Sequence, residues 1–321
     1  MIIQSPESVM PEPYKTYVRQ RSETITAILQ DVVGDVDVQL CPRAITPDER
    51  VFPPDNSYVY GTIVKTPTDG HKSVLYSPAF RNSGVATTNP QEALRYAQEQ
   101  IKKGNRIRLK DPRESDGQGQ HSVESIDELL PVFHEIVETS GSGCVLMPHL
   151  DKISHRISVG QLSLGALGKF CYLGREETVL HDGVEVYGGT ALGLFHGDAR
   201  ESEAQVEQHF DIPEHLVKMG KTALDAYSKI ALYTGRVSVD VIEGLTDGGE
   251  VFRGVIDVTP RIGGTTPAEV LALREIHNRE EALCFASSKL IYDPPLSPTS
   301  GVNFIDTDKL IINAQIYEVR G

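Results

Sequence analysis

The stretch Val251-Phe-Arg-Gly-Val-Ile-Asp257-Val-Thr259-Pro-Arg261-Ile-Gly-Gly-Thr-Thr-Pro267-Ala-Glu-Val270 runs an apolar segment straight into a polar, glycine-rich turn. Residues 251–258 are rich in β-branched side chains and are bounded by Gly248-Gly249 and Pro260, which predicts a strand. Asp257 and Thr259 are two apart, so the strand period sets both on one face. Upstream, Arg236-Val-Ser-Val-Asp240-Val-Ile242 predicts a second strand, and the turn-rich residues 243–250 join the two as an antiparallel hairpin. Asp240 is then expected near Asp257 across the ladder. Two carboxylates held that close repel unless a cation sits between them, and an oxygen-rich site suits Mg²⁺. Hairpin-end carboxylates pairing with arginines are the structural alternative.

At 321 residues the chain is long enough for about two domains. Lys and Arg number 31 against 45 Asp and Glu, a net charge of −14, which argues against general binding to nucleic acid or anionic membranes. An anionic ligand therefore needs a local cluster of cations. Cys41, Cys144, Cys171 and Cys284 are scattered with no C-x-x-C spacing, so reduced thiols are expected rather than zinc or a disulfide framework. The N-terminal segment has neither a basic nor an apolar leader region, and no run approaches the ~20 apolar residues of a membrane span, so the expected location is the cytoplasm.

Working back along the chain, Tyr14, Tyr17, Ile25 and Leu29 have helical spacing, and residues 36–40 and 57–64 read as strands of a small α/β lead-in. Residues 89–103 predict a helix with Asn89 as N-cap, Pro90 in the first turn, Glu92 completing a capping box and Gly104 as the stop. Arg106-Ile-Arg-Leu-Lys110 then alternates basic and apolar residues. It leads into Asp111-Pro-Arg-Glu-Ser115-Asp-Gly117-Gln-Gly119, where glycines let backbone N–H groups approach an anion. This is neither a Walker A loop nor a G-x-G-x-x-G fingerprint, and a hairpin turn is its structural alternative. A helix capped by Ser125, a strand at residues 143–147, a segment with a Gly188-Gly189-Thr190 turn and a helix starting near Pro213 complete the order.

That order of parts resembles the ATP-grasp superfamily over about residues 70–275, on the side of its carboxylate–amine ligases and of uncharacterised ATP-grasp-like families. Arg108-Leu-Lys-Asp-Pro-Arg-Glu-Ser-Asp-Gly-Gln-Gly119 looks like the superfamily's lysine strand and phosphate-covering loop, and Asp257-Val-Thr-Pro-Arg261 like its Glu-x-Asn-Pro-Arg metal strand. The resemblance implies an α+β ATP-grasp fold, two lobes clasping a nucleotide behind the lead-in. The lead-in would span residues 1–70, the small lobe 71–147 and the large lobe 148–321.

The resemblance further implies ATP and Mg²⁺ as cofactors. Lys110 and Lys72 would contact phosphates, Ser115, Gly117 and Gly119 would cover them, and the linker at Met147 to His149 would meet adenine with Asp151 at the ribose. Asp240, Asp257 and Thr259 would hold the metal, and Arg261 would face the transferred phosphoryl group. Asp257 and Thr259 depart from the superfamily's Glu and Asn, shortening one ligand and exchanging a carbonyl oxygen for a weaker hydroxyl. The implied activity is ligation of a small-molecule carboxylate to an amine with release of ADP and phosphate. A nucleotide-binding pseudoenzyme or regulator and a fold kept only for interactions are the alternatives. The run Lys309 to Tyr317 is expected either to close the large lobe's sheet or to pair with another subunit in a homodimer.

Overall fold

A computed structural model describes residues 12–34, 37–40, 57–65, 72–77, 80, 84–112, 119–141, 143–197, 199–294 and 300–320. The chain begins with α1 (Glu12–Val33), followed by β1 (Asp37–Leu40), β2 (Ser57–Tyr60) and β3 (Thr62–Val64). β1 and β2 pair in parallel. A 3₁₀ turn over Lys72–Tyr76 leads to the first complete layer.

That layer is a four-stranded antiparallel sheet under two helices. Its chain order is β4 (Val85–Thr87), α2 (Pro90–Lys102), β5 (Ile107–Lys110), β6 (Gln120–Val123), α3 (Ile126–Ser140) and β7 (Cys144–Pro148). The sheet order is β4-β7-β5-β6. Alternation along the strands decides which face meets the helices. Ile107, Leu109, Cys144 and Leu146 pack with Ala93, Ala97, Phe133 and Ile136 of the helices. Arg108, Lys110 and Met147 face the opposite way and line a cleft. Asn89 caps α2 by accepting from Gln91 N at 2.9 Å, one residue earlier than a capping box requires. Ser125 caps α3 from Glu128 N at 3.3 Å, while the Glu128 carboxylate accepts from Glu124 N at 3.0 Å. Pro131 lies inside α3, which runs on through it.

The larger layer is an eight-stranded sheet. It is built from β8 (Leu150–Ser163), β9 (Lys169–His181), β10 (Val184–His196), α4 (Arg200–Phe210), α5 (Glu214–Ile230), β11 (Ala231–Thr234), β12 (Arg236–Thr246), β13 (Val251–Thr259), α6 (Thr266–Arg279), β14 (Leu283–Tyr292), β15 (Val302–Asp306) and β16 (Leu310–Arg320). Its order is β13-β12-β8-β9-β10-β14-β16-β15, while β11 pairs separately with β3. Val237, Val239 and Val241 of β12 pack with Val217, Leu224 and Tyr227 of α5 on one face. On the other face α1 and α6 cover the far strands through Ile25, Leu29, Ala268 and Leu271. The C-terminal strand β16 lies inside this sheet, between β14 and β15.

Two local readings of the sequence change. Gly188-Gly189 is not a turn but a bulge within β10, where the register on β9 shifts between Tyr187 and Gly189. A Cβ on Gly189 would stand 2.1 Å from the Ser288 carbonyl oxygen, so the neighbouring strand excludes any side chain there. The turn sits earlier, at Asp182 (φ 51°) and Gly183 (φ 77°), the left-handed pair that a two-residue hairpin requires. The helices α4 and α6 also went unread. α6 is buried nearly all round, from Thr266 through Leu273, so it shows no polar-and-apolar alternation.

The two sheets are pinned together by the β12–β13 turn. Arg106 grips Asp247 through Nη2 at 2.8 Å, Nε at 3.1 Å and its backbone N at 3.0 Å. Gly248 N donates to Asn105 Oδ1 at 2.8 Å, and Lys103 Nζ lies 3.2 Å from Glu250. The same hairpin therefore anchors the four-stranded sheet and carries the acidic residues of the site.

Candidate functional site

The cleft between the two sheets gathers side chains from both. From the four-stranded sheet and the turn before it come Lys72, Arg108, Lys110 and Met147, and from the eight-stranded sheet and the loop after β13 come Arg156, Glu176, Ser238, Asp240, Asp257, Thr259 and Arg261. Asp240 and Asp257 are direct register partners, as are Ser238 and Thr259. A register shift after Asp240 leaves Ile256 as the extra residue, a bulge that turns Ile256 towards the cleft together with Asp257.

The acidic wall is held by named partners. Ser158, the register partner of Asp240 on β8, donates to its Oδ1 at 2.9 Å. Lys72 Nζ lies 3.3 Å from Asp257 Oδ2. Burial and then the Asp257 charge push the Asp240 carboxyl above the ordinary range. Glu176 is raised as well, by burial and then by Asp240, with which it shares a hydrogen bond.

Among the described residues the basic wall is short of counter-ions. Lys110 is 7 % exposed, and no ion pair to it exists among the described residues. Burial first, then Lys72 and Arg108, bring its ammonium down to about 7. Arg108 donates to neutral groups, Gln120 Oε1 at 3.2 Å and His149 Nδ1 at 3.2 Å, and burial followed by the Arg156 charge lowers it. Cations packed together in a dry wall, in a chain of net charge −14, make a receptor for a polyanion. The nearby rim of Met147, Pro148, Leu150, Ile153, Ile242 and Ile256 is apolar.

The sequence-expected residues divide accordingly. Lys72, Lys110, Met147, Asp240, Asp257, Thr259 and Arg261 all line this one cleft. His149 turns its ring to Arg108 and Ser122, and Asp151 is exposed on β8; neither lines the cleft. Gly119 closes the loop by accepting from Asp111 N at 2.9 Å, whereas Ser115 and Gly117 lie outside the described residues. Arg108, Glu176 and Gln120 were missed as site residues. Arg108 was findable, because it shares the face of Lys110 two residues away; Glu176 carried no local signal on its long strand.

Hard oxygen donors on one wall and cations on the other fit a nucleotide with its Mg²⁺. Among the described residues no three His, Cys, Asp or Glu side chains are gathered as a complete metal set. Two carboxylates completed by phosphate and water oxygens are what Mg²⁺ ordinarily uses.

This architecture is an ATP-grasp-like fold. It resembles the biotin carboxylase domain of the Hydrogenobacter thermophilus 2-oxoglutarate carboxylase with a TM-score of 0.54 at 13% identity, over 93% of this chain and 73% of that one. N5-carboxyaminoimidazole synthetase from Staphylococcus aureus aligns at 13% identity with a TM-score of 0.46, over 74% of this chain and 63% of that one. D-alanyl-alanine synthetase A from Vibrio cholerae aligns at 12% identity with a TM-score of 0.37, over 68% of this chain and 64% of that one. The chain thus spans less than two thirds of the length of those last two proteins. Residues 82–310 match the family described as "Protein of unknown function (DUF3182)", and the chain belongs to it. No curated protein matches the sequence. No helix among the described residues is long and apolar enough to cross a membrane.

Proposed function

We propose that the protein is an ATP-dependent ligase that activates a small-molecule carboxylate as an acyl phosphate and joins it to an amine or similar nucleophile. The observation that carries this reading is the buried Lys110, with no ion pair among the described residues, beside Arg108 and Arg156 and set across one cleft from Asp240 and Asp257. That pairing of walls suits a triphosphate and its cation, and the biotin carboxylase domain of like fold was crystallised with MgADP, ADP and bicarbonate.

In the proposed reaction a carboxylate oxygen attacks the γ-phosphorus and the bond to the β,γ-bridging oxygen breaks, releasing ADP. The amine nitrogen then attacks the acyl carbon, phosphate leaves, and the nitrogen loses a proton. Lys110 and Lys72 neutralise phosphate charge, which is most of what phosphoryl transfer asks of a protein. Arg261 faces the transferred group. Asp240, Asp257 and the Thr259 hydroxyl would hold Mg²⁺, which when bound would supply positive charge against the phosphates. The apolar rim from Met147 to Ile256 takes the base. On this reading residues 71–147 form the phosphate-gripping lobe, residues 148–321 the metal-binding lobe and residues 1–70 their lead-in.

One observation favours the second reading, a nucleotide-binding protein of weak turnover: Lys72 occupies Asp257 at 3.3 Å, and Thr259 offers a hydroxyl as the third donor. The deciding experiment is ADP and phosphate release with Mg²⁺ and ATP across panels of acids and amines. Release that needs one acid and one amine supports the ligase; nucleotide binding with no dependence on any pair supports the second reading.

A further inference from the structure

Beneath the cleft lies an ion pair that touches no ligand position. Arg236 and Glu269 are both 0 % exposed. Burial works against each charge, and the partner more than offsets it, so Arg236 is held above and Glu269 below its ordinary value. A buried pair of this kind is weak evidence for stability, so its geometry is the better guide to its role.

All five N–H groups of Arg236 are engaged. Nε donates to Glu269 Oε2 at 3.1 Å, and Nη2 donates to Glu269 Oε1. Nη1 donates to two carbonyls of the loop that follows β13, Thr259 O and Arg261 O, each at 2.7 Å. Nη2 also reaches Thr265 Oγ1 at 2.7 Å and Tyr172 Oη at 3.3 Å. The loop so gripped carries Thr259, Arg261, Gly263, Gly264 and Thr265, all of which line the cleft.

The N-terminal segment holds the pair from the other side. Tyr60, 1 % exposed, donates to Glu269 Oε2 at 2.6 Å. Gly61 O accepts from Gly235 N at 2.8 Å and Arg236 N at 2.9 Å, and Thr62 Oγ1 donates to Arg236 O at 2.8 Å. The family match begins at residue 82, so these contacts come from outside it.

We infer that Arg236 is a positioning residue for the cleft: it fixes the 259–265 loop, and hence the stance of Arg261 and Thr259, and Tyr60 sets its orientation through Glu269. The catalytic consequence rests on the ligase reading above; the structural one does not. A lysine at 236 keeps the charge for Glu269 but has three donors on a flexible stem, too few for the two bonds to Glu269 and the two to the loop carbonyls together. A phenylalanine at 60 removes a single hydroxyl.

The test compares Tyr60→Phe and Arg236→Lys with the parent full chain by peptide-resolved amide hydrogen exchange, ATP affinity and steady-state ADP release. Exchange in the 259–265 peptide is expected to quicken while that of β5 is unchanged. ATP affinity should stay within about threefold while kcat falls by about tenfold to a hundredfold, the pattern of displaced reacting groups rather than lost binding. Unchanged exchange at 259–265 in both variants overturns the proposal. Exchange that rises throughout the large lobe, with affinity and turnover falling together, also overturns it, in favour of a merely structural pair. A parent that neither binds nor turns over ATP defeats the ligase reading, and the exchange comparison still decides the positioning role. Should Arg236→Lys fail to fold, Tyr60→Phe alone carries the comparison.

Discussion

Asp240 and Asp257 stand directly opposite each other on the β12–β13 ladder, and Lys72 reaches only the second of them. Like charges facing across a ladder destabilise the fold that holds them. Asp240→Asn is therefore expected to stabilise the ligand-free protein by about 0.5–2 kcal/mol in urea unfolding, as happens when a site strained for function is relaxed. The same variant should lose the Mg²⁺-dependent part of nucleotide stabilisation. A destabilised ligand-free variant would contradict the repulsion.

The ammonium of Lys110, lowered by burial and by neighbouring Lys72 and Arg108 to about 7, gives a pH signature. Its folded value lies below the ordinary ~10.4, so the unfolded chain binds that proton more tightly and the free protein gains stability as pH rises between those values. A bound polyanion favours the charged form, so nucleotide binding at about pH 8 should take up close to one proton. Calorimetry in buffers of different ionisation enthalpy reads this directly, and Lys110→Met should abolish it. Identical heats in every buffer would contradict it.

Arg106 and Asp247 join the two sheets by a two-pronged contact backed by the Arg106 backbone N. Asp247→Asn should cost about 1–2 kcal/mol, discounted for partial exposure. Because the joint also sets the four-stranded sheet over the acidic wall, ATP affinity should weaken with it. Loss of stability without any loss of affinity would remove the joint from the site's support.

Gly189→Ala tests the bulge in β10. The added Cβ meets the Ser288 carbonyl on the paired strand and the backbone sits at φ 144°, so destabilisation of about 1–3 kcal/mol is expected. A neutral effect would show that β10 and β14 can part there.

The sequence was most legible where local chemistry repeats. Caps at Asn89 and Ser125, alternation in Arg106 to Lys110 and β-branched runs flanked by glycine marked α2, α3, β5, β12 and β13, because each signal lies within a few residues. Asp240 and Asp257 could be paired from hairpin logic alone. Glu176 could not, since it reaches Asp240 only after β8 and β9 assemble. Gly188-Gly189 misled because glycine marks both turns and bulges, and only the proximity of Ser288 separates them. In the sequence Arg236 is only the start of a strand; its six side-chain hydrogen bonds all join residues distant in sequence.

Thermal unfolding with saturating ATP, with and without Mg²⁺, tests the central claim most directly. Measured for the parent, Lys110→Ala and Asp257→Asn, it bears on both walls of the cleft at once. Ligand at 100 times its dissociation constant should stabilise the parent by about 2.7 kcal/mol, with Lys110→Ala losing the shift and Asp257→Asn losing its Mg²⁺ dependence. No shift of the parent at any attainable ATP concentration would contradict the assignment of this cleft to a nucleotide.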